Sequence, residues 1–232
     1  MVLVGWILKL LPLGVFALSA EFAFRIGVRA TGAIAFFVVL LSGILLLVTV
    51  LLYPVTAMFG QTSLARFARA VAPAQAVAVS TRSSLASLPA LVEGGQKQLD
   101  LPDSVTGFVL PLSVAAFKLN RAVSGLVRLL FLAHLFRVPL GPAQLASFVA
   151  TQLIMSFSTA GIPGVGSIRS LPAYVAAGIP IEGVLMLNAV DTIPDIFATL
   201  ANVTADMSVA TILSRGDRVR TIGDSLSGAP TP

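Results

Sequence analysis

Long uncharged stretches predict helices that cross a membrane. Residues 30–65 carry no charge, and FFVVLLSGILLLVTVLLYPV (36–55) lies within them. This segment is long enough by itself, since spanning the hydrocarbon takes about 20 apolar residues. Residues 1–24 are apolar apart from Lys9 and Glu21. They do not fit a secretory signal, because Lys9 stands late and Leu18 occupies a position that needs a small residue. We therefore predict two membrane helices within residues 1–60.

Beyond residue 60, longer apolar segments alternate with two pairs of shorter ones. The first pair, at about 62–100, is interrupted by STRSSLASLP (80–89), and the second, at about 142–180, by STAGIPGVG (158–166). Helices are predicted at about 104–136 and 182–214, and a disordered tail at 216–232. Broken segments at matching places indicate a transporter's binding site at mid-membrane, where protein or water must line the irregular backbone. The other interpretation is that both tips are loops outside the membrane.

The composition favours a membrane protein. Of the 232 residues, 56% are hydrophobic and 11% are charged, with a mean hydropathy of +0.96. Soluble domains carry roughly 25% charged residues. The net charge of +5 comes from single lysines and arginines, which is typical of helix ends at a membrane surface and not of a nucleic-acid site. The absence of cysteine excludes a disulfide scaffold, a thiolate metal site and a cysteine nucleophile.

Three of the ten acidic residues are concentrated in DTIPDIFATLANVTAD (191–206). On a helix, Asp191, Asp195, Asn202 and Asp206 lie within a stripe about 60° wide, with Thr199 beside it. A carboxylate at the bilayer centre costs about 2.5–3.5 kcal/mol, so this stripe must face protein, water or a bound cation. Two interpretations follow: a pathway for ions and substrate, or inert ion pairs with the bases of the preceding helix, namely Lys118, Arg121 and Arg128.

The residues do not favour an enzyme. An intramembrane aspartyl protease needs two aspartates that converge from different helices, whereas these aspartates share one predicted helix. His134 is isolated among apolar residues. GIPGVG (161–166) has neither the preceding strand nor the following Gly-Lys-Ser/Thr of a phosphate-binding loop. We expect a protein that is not an enzyme and has no cofactor.

The acidic segment resembles D-x-x-x-D-x-x-R-T-x-x-N-V-x-x-D, the last-helix motif of the dicarboxylate/amino acid:cation symporters, the glutamate transporter family. TRSSLASLP (81–89) resembles the serine-rich tip of that family's first re-entrant hairpin, STAGIPGVG the tip of the second, and LLPLGVFAL (10–18) its fifth helix. The match covers residues 1 to about 215 and only the C-terminal part of the family's pattern. It implies an all-α polytopic membrane protein in which transmembrane helices alternate with two re-entrant helical hairpins, with a transport-type core at 61–215.

The resemblance implies a secondary active transporter of an amino acid or a dicarboxylate, which works by alternating access with hairpin gates. Sodium or a proton is the expected coupling ion, and the inner membrane is the expected location. The implied partners are the small-molecule substrate and membrane lipid, with no nucleic acid, in a homotrimer or with a separate N-terminal-half subunit. The alternative is a truncated, non-transporting fragment or subunit that needs such a half.

The resemblance also implies the site residues. Asp195 would hold the amino group of the substrate and Asn202 its α-carboxylate. Asp206 would be a sodium ligand, because a hard cation prefers oxygen donors. Further substrate contacts would come from the hairpin tips and the last helix: Ser83, Ser84, Gly161, Ile162, Pro163 and Thr199. Further sodium ligands would be oxygens of Ser156, Phe157, Thr159 and Asn202.

Two departures from the family pattern change the expected chemistry. The arginine that grips an acidic side chain in the family is Ala198 here, and the NMDGT motif of the seventh helix is FKLNR (117–121). Two cations therefore stand where sodium ligands are expected. We hypothesise that Arg121 replaces the missing arginine and that sodium coupling is weakened.

The partners of three charged residues follow from the same hypothesis. Lys118 would act as a tethered cation near Asp206 or Asp191. Arg82 would be a substrate contact or a partner for Asp195 or Asp191, and we favour the second role.

Overall fold

The computed structural model describes the backbone of residues 28–157 and 170–227, and the side chains of residues 32–157 and 170–215. Within these ranges every regular element is helical. Three stretches are long and apolar enough to cross a membrane: Gly32–Gly60, Val105–Phe136 and Thr192–Arg215. These helices confirm the prediction of an all-helical chain with segments able to span a membrane. The first predicted helix, within residues 1–24, lies outside the described residues.

Helix α1, Val28–Gly60, contains the uncharged segment that the sequence predicts to span the membrane. Only 22% of its most apolar window is buried inside the protein, whereas 67% of the corresponding window at Thr192–Arg215 is buried. Because the exposed side chains of α1 are large and apolar, this helix has a face suited to lipid or to another protein. The helix beginning at Thr192 is the central one.

Helices α2, Leu64–Thr81, and α3, Leu88–Leu99, form the first pair and are joined by residues 82–87. The Ser63 side chain caps α2 by accepting a hydrogen bond from the Arg66 amide, and α2 ends at Arg82, which has a left-handed φ of 52°. Gly94 permits a close crossing, since a Cβ there would lie 2.1 Å from the Ala70 carbonyl oxygen. At the far end, the Arg66 guanidinium pairs with the Asp100 carboxylate.

The stretch predicted as a helix at 104–136 is interrupted in its middle. A π-helical turn, Val105–Val109, leads into α4, Leu110–Ala116, and the backbone of Phe117 and Lys118 is extended. Helix α5 then runs over Leu119–Phe136. The break is stabilised because other elements accept the exposed amides: Lys118 N donates to the Ser156 carbonyl at 3.2 Å, and Asn120 N donates to Asn202 Oδ1 at 2.9 Å.

Three further helices lead to the end of the described chain. Helix α6 covers Pro142–Ser156, α7 covers Leu171–Ala176, and α8 covers Ile181–Ala189. The stretch predicted as a helix at 182–214 is divided at Val190 and continues as α9, Thr192–Ser227. The backbone of α9 enters the segment 216–232 that composition predicts to be disordered. No proline stands in this segment before Pro230, so nothing in its sequence enforces a helix stop there.

Two apolar clusters pack on opposite parts of α9. The first joins α1, α5, α8 and the start of α9 around Leu41, Leu129 and Leu187. The second joins α2, α3, α4 and the later turns of α9 around Phe67, Leu110 and Met207. Both clusters contain buried side chains of α9, so this helix is held by the first helix pair on one side and by α1 and α5 on the other.

Candidate functional site

The polar stripe of α9 faces the protein interior. Asp206, Asn202 and Thr199 have exposed fractions of 1%, 6% and 5%, whereas Ile193 and Leu213 on the same helix are more than half exposed. Asp191 and Asp195 lie nearer the start of the helix and are partly buried. The polar side chains therefore avoid the exposed surface of α9, as the cost of a carboxylate in lipid requires.

Asp206 occupies the most enclosed position of the stripe. Its Oδ1 accepts a hydrogen bond from the Ser113 hydroxyl of α4, while its Oδ2 is buried without a hydrogen-bond partner among the described residues. A buried carboxylate oxygen is costly unless it is compensated by a charge or a hydrogen bond. Asp206 is therefore suited to hold a cation or a proton.

Lys118 brings a positive charge into the same region. Its ammonium is buried and donates to Ser84 Oγ and to the Val114 carbonyl, each at 2.6 Å. It also interacts electrostatically with Asp206. Of the two aspartates expected near Lys118, the structure brings Asp206 near it. Asp191 instead pairs with Arg128.

Asn202 is oriented by the break between α4 and α5. Its side-chain oxygen accepts the hydrogen bond from the Asn120 amide at 2.9 Å. This bond assigns Oδ1 to the backbone and leaves Nδ2 as the group that can donate to an anion. The Thr199 hydroxyl donates to the Asp195 carbonyl at 2.8 Å, so its oxygen remains an acceptor.

Asp195 lies one turn after Asp191 and is partly buried. Its charged neighbours are Asp191, Arg82 and Arg128. Arg82, at the end of α2, is exposed and contributes to this field, although the ion pair of Asp191 is formed by Arg128. Arg82 therefore attracts Asp195 electrostatically but forms no ion pair with it among the described residues, and its preferred role stays a prediction.

The tip of the first helix pair reaches the site through one serine. Ser84 is buried and accepts from Lys118. Ser83 instead supports the turn itself: its hydroxyl accepts from the Ala86 amide at 3.2 Å, and its carbonyl accepts from the Ser87 hydroxyl at 3.1 Å. Ser84 is therefore the better placed of the two to contact a ligand.

The tip of the second helix pair falls largely on residues that the structure does not describe. Ser156 is buried, and its carbonyl accepts the Lys118 amide. Phe157 is 65% exposed. Arg121 stands in the first turn of α5, where its amide donates to the Lys118 carbonyl. Outside the described residues lie the predicted site residues Thr159, Gly161, Ile162 and Pro163.

Several contacts at the site involve residues that the sequence does not single out. Ser113 contacts Asp206, and Asn188 contacts Arg128. Neither residue lies in a recognisable motif, so both contacts depend on the fold alone. Gln152 of α6 is buried against Gly125 of α5, where a Cβ would lie 2.7 Å from Gln152 Nε2. The sequence feature that could have indicated Gln152 is a glutamine within a short apolar segment.

The described residues include no group of three or more histidines and acidic residues that could hold a metal ion. A cation at Asp206 would therefore depend on backbone carbonyl and hydroxyl oxygens for its remaining ligands. Such oxygens suit hard cations. Lys118 already occupies two of the nearby acceptors, Ser84 Oγ and the Val114 carbonyl.

Known proteins are similar to this chain over most of its length. The model of the sodium:dicarboxylate symporter family matches residues 1–216. The chain is 26% identical over 210 residues to the proton/sodium-glutamate symport protein of Bacillus caldotenax, covering 90% of this chain and 49% of that protein. It is 26% identical over 209 residues to the proton/glutamate-aspartate symporter of Escherichia coli K12, covering 90% of this chain and 48% of that protein.

A human relative matches over a shorter region. Excitatory amino acid transporter 3 of Homo sapiens is 31% identical over 141 residues, or 61% of this chain and 27% of that protein. The chain spans about half the length, or less, of these curated relatives. The family is one of membrane transporters, not of enzymes, which confirms the expectation drawn from the aspartates. The match over residues 1–216 shows that the chain belongs to the sodium:dicarboxylate symporter family.

Proposed function

We propose that this chain forms the substrate-binding part of a secondary active transporter for an amino acid or a dicarboxylate, with sodium coupling weakened by Lys118. The observation that carries the proposal is the buried Lys118 ammonium, which donates to Ser84 and lies in the field of Asp206. Family membership supports the transport activity, and the polar stripe of α9 supports a site within the protein.

The substrate would bind between the tip of the first helix pair, the tip of the second, and α9. Asp195 is partly buried and would attract the amino group of the substrate. Asn202 would donate to the α-carboxylate through Nδ2, since its Oδ1 already accepts from the Asn120 amide. Arg121 would provide the positive charge for an acidic side chain, because Ala198 cannot. The remaining proposed contacts are Ser83, Ser84, Thr199, Gly161, Ile162 and Pro163.

The coupling ion would be affected by the ammonium of Lys118. A sodium ion about 4 Å from a second cation is destabilised by about 4 kcal/mol at an effective dielectric constant of about 20. This corresponds to roughly three decades of affinity. The tethered charge would take over part of the neutralisation of Asp206, so binding would depend weakly on sodium. A proton remains the second proposed coupling ion.

The membrane arrangement belongs to the same proposal. The two helix pairs, α2–α3 and α6–α7, would be re-entrant hairpins whose tips meet near the middle of an inner membrane and act as gates. The paired amides at the α4–α5 break support this placement, because irregular backbone inside a membrane needs partners from the protein. The proposed partners are further copies of this chain in a homotrimer, or a separate N-terminal-half subunit.

Ligand binding by purified protein tests this function directly. Thermal unfolding is measured with glutamate, aspartate, neutral amino acids and dicarboxylates, each with and without sodium. We expect at least one of these classes to raise the melting temperature, because a ligand that binds only the folded state stabilises it. A flat response to every compound would contradict the proposal and favour the non-transporting fragment or subunit.

The variant Asp195→Asn tests the role given to Asp195. We expect it to weaken binding of an amino acid by at least about tenfold, since hydrogen bonds to a charged group contribute about 1.5–3 kcal/mol. A dicarboxylate without an amino group should lose much less. Isothermal titration with the two ligands measures the difference. The control is Glu93→Gln, because Glu93 is exposed and, among the residues that the structure describes, pairs with Lys97 one turn away. Equal losses for both ligands would exclude this role.

A further inference from the structure

Arg128 of α5 connects both sides of the break between α8 and α9. Its Nη1 donates to Asn188 Oδ1 at 2.9 Å, and its Nη2 donates to Asp191 Oδ1. Asn188 belongs to the last turn of α8, and Asp191 immediately precedes α9. One rigid guanidinium group thus contacts both helices at the point where the chain changes direction.

The break itself is a single tight turn. The Val190 amide donates to the Leu187 carbonyl and the Asp191 amide to the Asn188 carbonyl, both at 3.3 Å. The Asp191 carbonyl then accepts from the Asp195 amide at 2.8 Å, which begins the hydrogen-bond pattern of α9. Bonds of 3.3 Å are long for the backbone, so the turn gains little rigidity from its own amides.

The surroundings of Arg128 restrict its movement. The side chain is 9% exposed, and its Cζ lies 6.0 Å from the centre of the Phe37 ring on α1. Phe37 in turn packs on Phe131, with ring centroids 5.0 Å apart. The guanidinium is therefore held by an aromatic contact as well as by two hydrogen bonds. Such a planar, forked group fixes the geometry of its partners more strongly than an ammonium does.

Asp195 lies one helical turn from Asp191, so the direction of the first turn of α9 determines where its carboxylate points. We infer that Arg128 is a positioning residue, which holds the α8–α9 break in one geometry and thereby aims Asp195 at the substrate. This inference rests on the proposed function for the part that concerns substrate. The other part of the inference, that Arg128 holds α8 and α9 together across the break, rests on the contacts of Arg128 alone. We call this arrangement the bracket.

The test uses the double variant R128M/D191N, which removes the ion pair without changing the net charge near Asp195. The chain has no native cysteine, so spin labels can be attached at Glu182→Cys on α8 and Val209→Cys on α9, both exposed sites. We expect the distance distribution between the labels to broaden clearly. We also expect amino acid affinity to fall by about tenfold, because small errors in position are costly for oriented groups.

Controls separate positioning from general damage. E93Q/K97Q removes an exposed ion pair in α3 and should change neither the distances nor the affinity. R128K keeps the charge but loses the fork, so it should give intermediate broadening and partial affinity. If R128M/D191N does not fold, R128K still tests the inference. A distribution of label distances in R128K that is as narrow as in the unsubstituted protein would overturn it.

The outcomes for the bracket and for the function are distinct. Unchanged distances in R128M/D191N would overturn the bracket. Broadened distances with full amino acid affinity would overturn the positioning of Asp195. Broadened distances in a protein that binds none of the candidate ligands, even without substitution, would leave the bracket standing and contradict the proposed function.

Discussion

Ligand binding is expected to become sodium-dependent when Lys118→Met and Leu119→Asp are combined. The substitutions remove the buried ammonium that interacts electrostatically with Asp206 and add a carboxylate at the α4–α5 break. Removing a repulsion of about 4 kcal/mol corresponds to roughly a thousandfold gain in sodium affinity. Titration of sodium against the melting temperature, with and without substrate, measures this gain.

Two single variants identify the source of the effect. Lys118→Arg retains a positive charge and should leave binding as independent of sodium as before. Lys118→Met alone should give a smaller gain than the double variant, because it removes the repulsion without adding an oxygen ligand. Equal binding by the double variant in sodium-free and sodium-containing buffer would reject the tethered-cation hypothesis.

Gly94→Ala is expected to give the largest loss of stability among conservative substitutions of the first helix pair. Its Cβ would lie 2.1 Å from the Ala70 carbonyl oxygen and 3.0 Å from the carbonyl carbon. These are backbone atoms of α2, so the helices themselves must separate. We expect a loss of about 1–3 kcal/mol in the free energy of unfolding, or more. Thermal unfolding in detergent measures it.

The same substitution should also weaken ligand binding, because α2 and α3 hold Ser84 against Lys118. The matched control is Gly43→Ala in α1, where a Cβ would meet none of the described residues within 4 Å. Ala is the better helix former, so this control should be neutral or gain up to about 1 kcal/mol. Equal stability of Gly94→Ala and Gly43→Ala would show that the two helices do not cross as closely as described.

The polar stripe could be predicted from the sequence because it depends only on the period of one helix. Asp195, Thr199, Asn202 and Asp206 follow one another at intervals of about one helical turn, and a lipid-facing position would be too costly for them. The burial of Thr199, Asn202 and Asp206 and the partial burial of Asp195 agree with that expectation. The motif resemblance likewise needs no tertiary information, and the family match confirms it.

The helix breaks could not be predicted in the same way. Nothing in FKLNR (117–121) prevents a helix, since it contains no proline or glycine. The chain opens there because Ser156 and Asn202, distant in sequence, accept the amides of Lys118 and Asn120. The cost of an interrupted helix depends on such partners, and their positions are known only after folding.

The sequence by itself determined the membrane-spanning character, the acidic stripe and the family, because hydrophobic length, helical period and motif spacing are local properties of the chain. Only the tertiary structure decided which basic side chain interacts with which acidic one. Lys118 donates to Ser84 and interacts electrostatically with Asp206, while Asp191 pairs with Arg128. Either base was compatible with either aspartate on the sequence alone, because the partner of a buried charge is chosen by how separate helices pack.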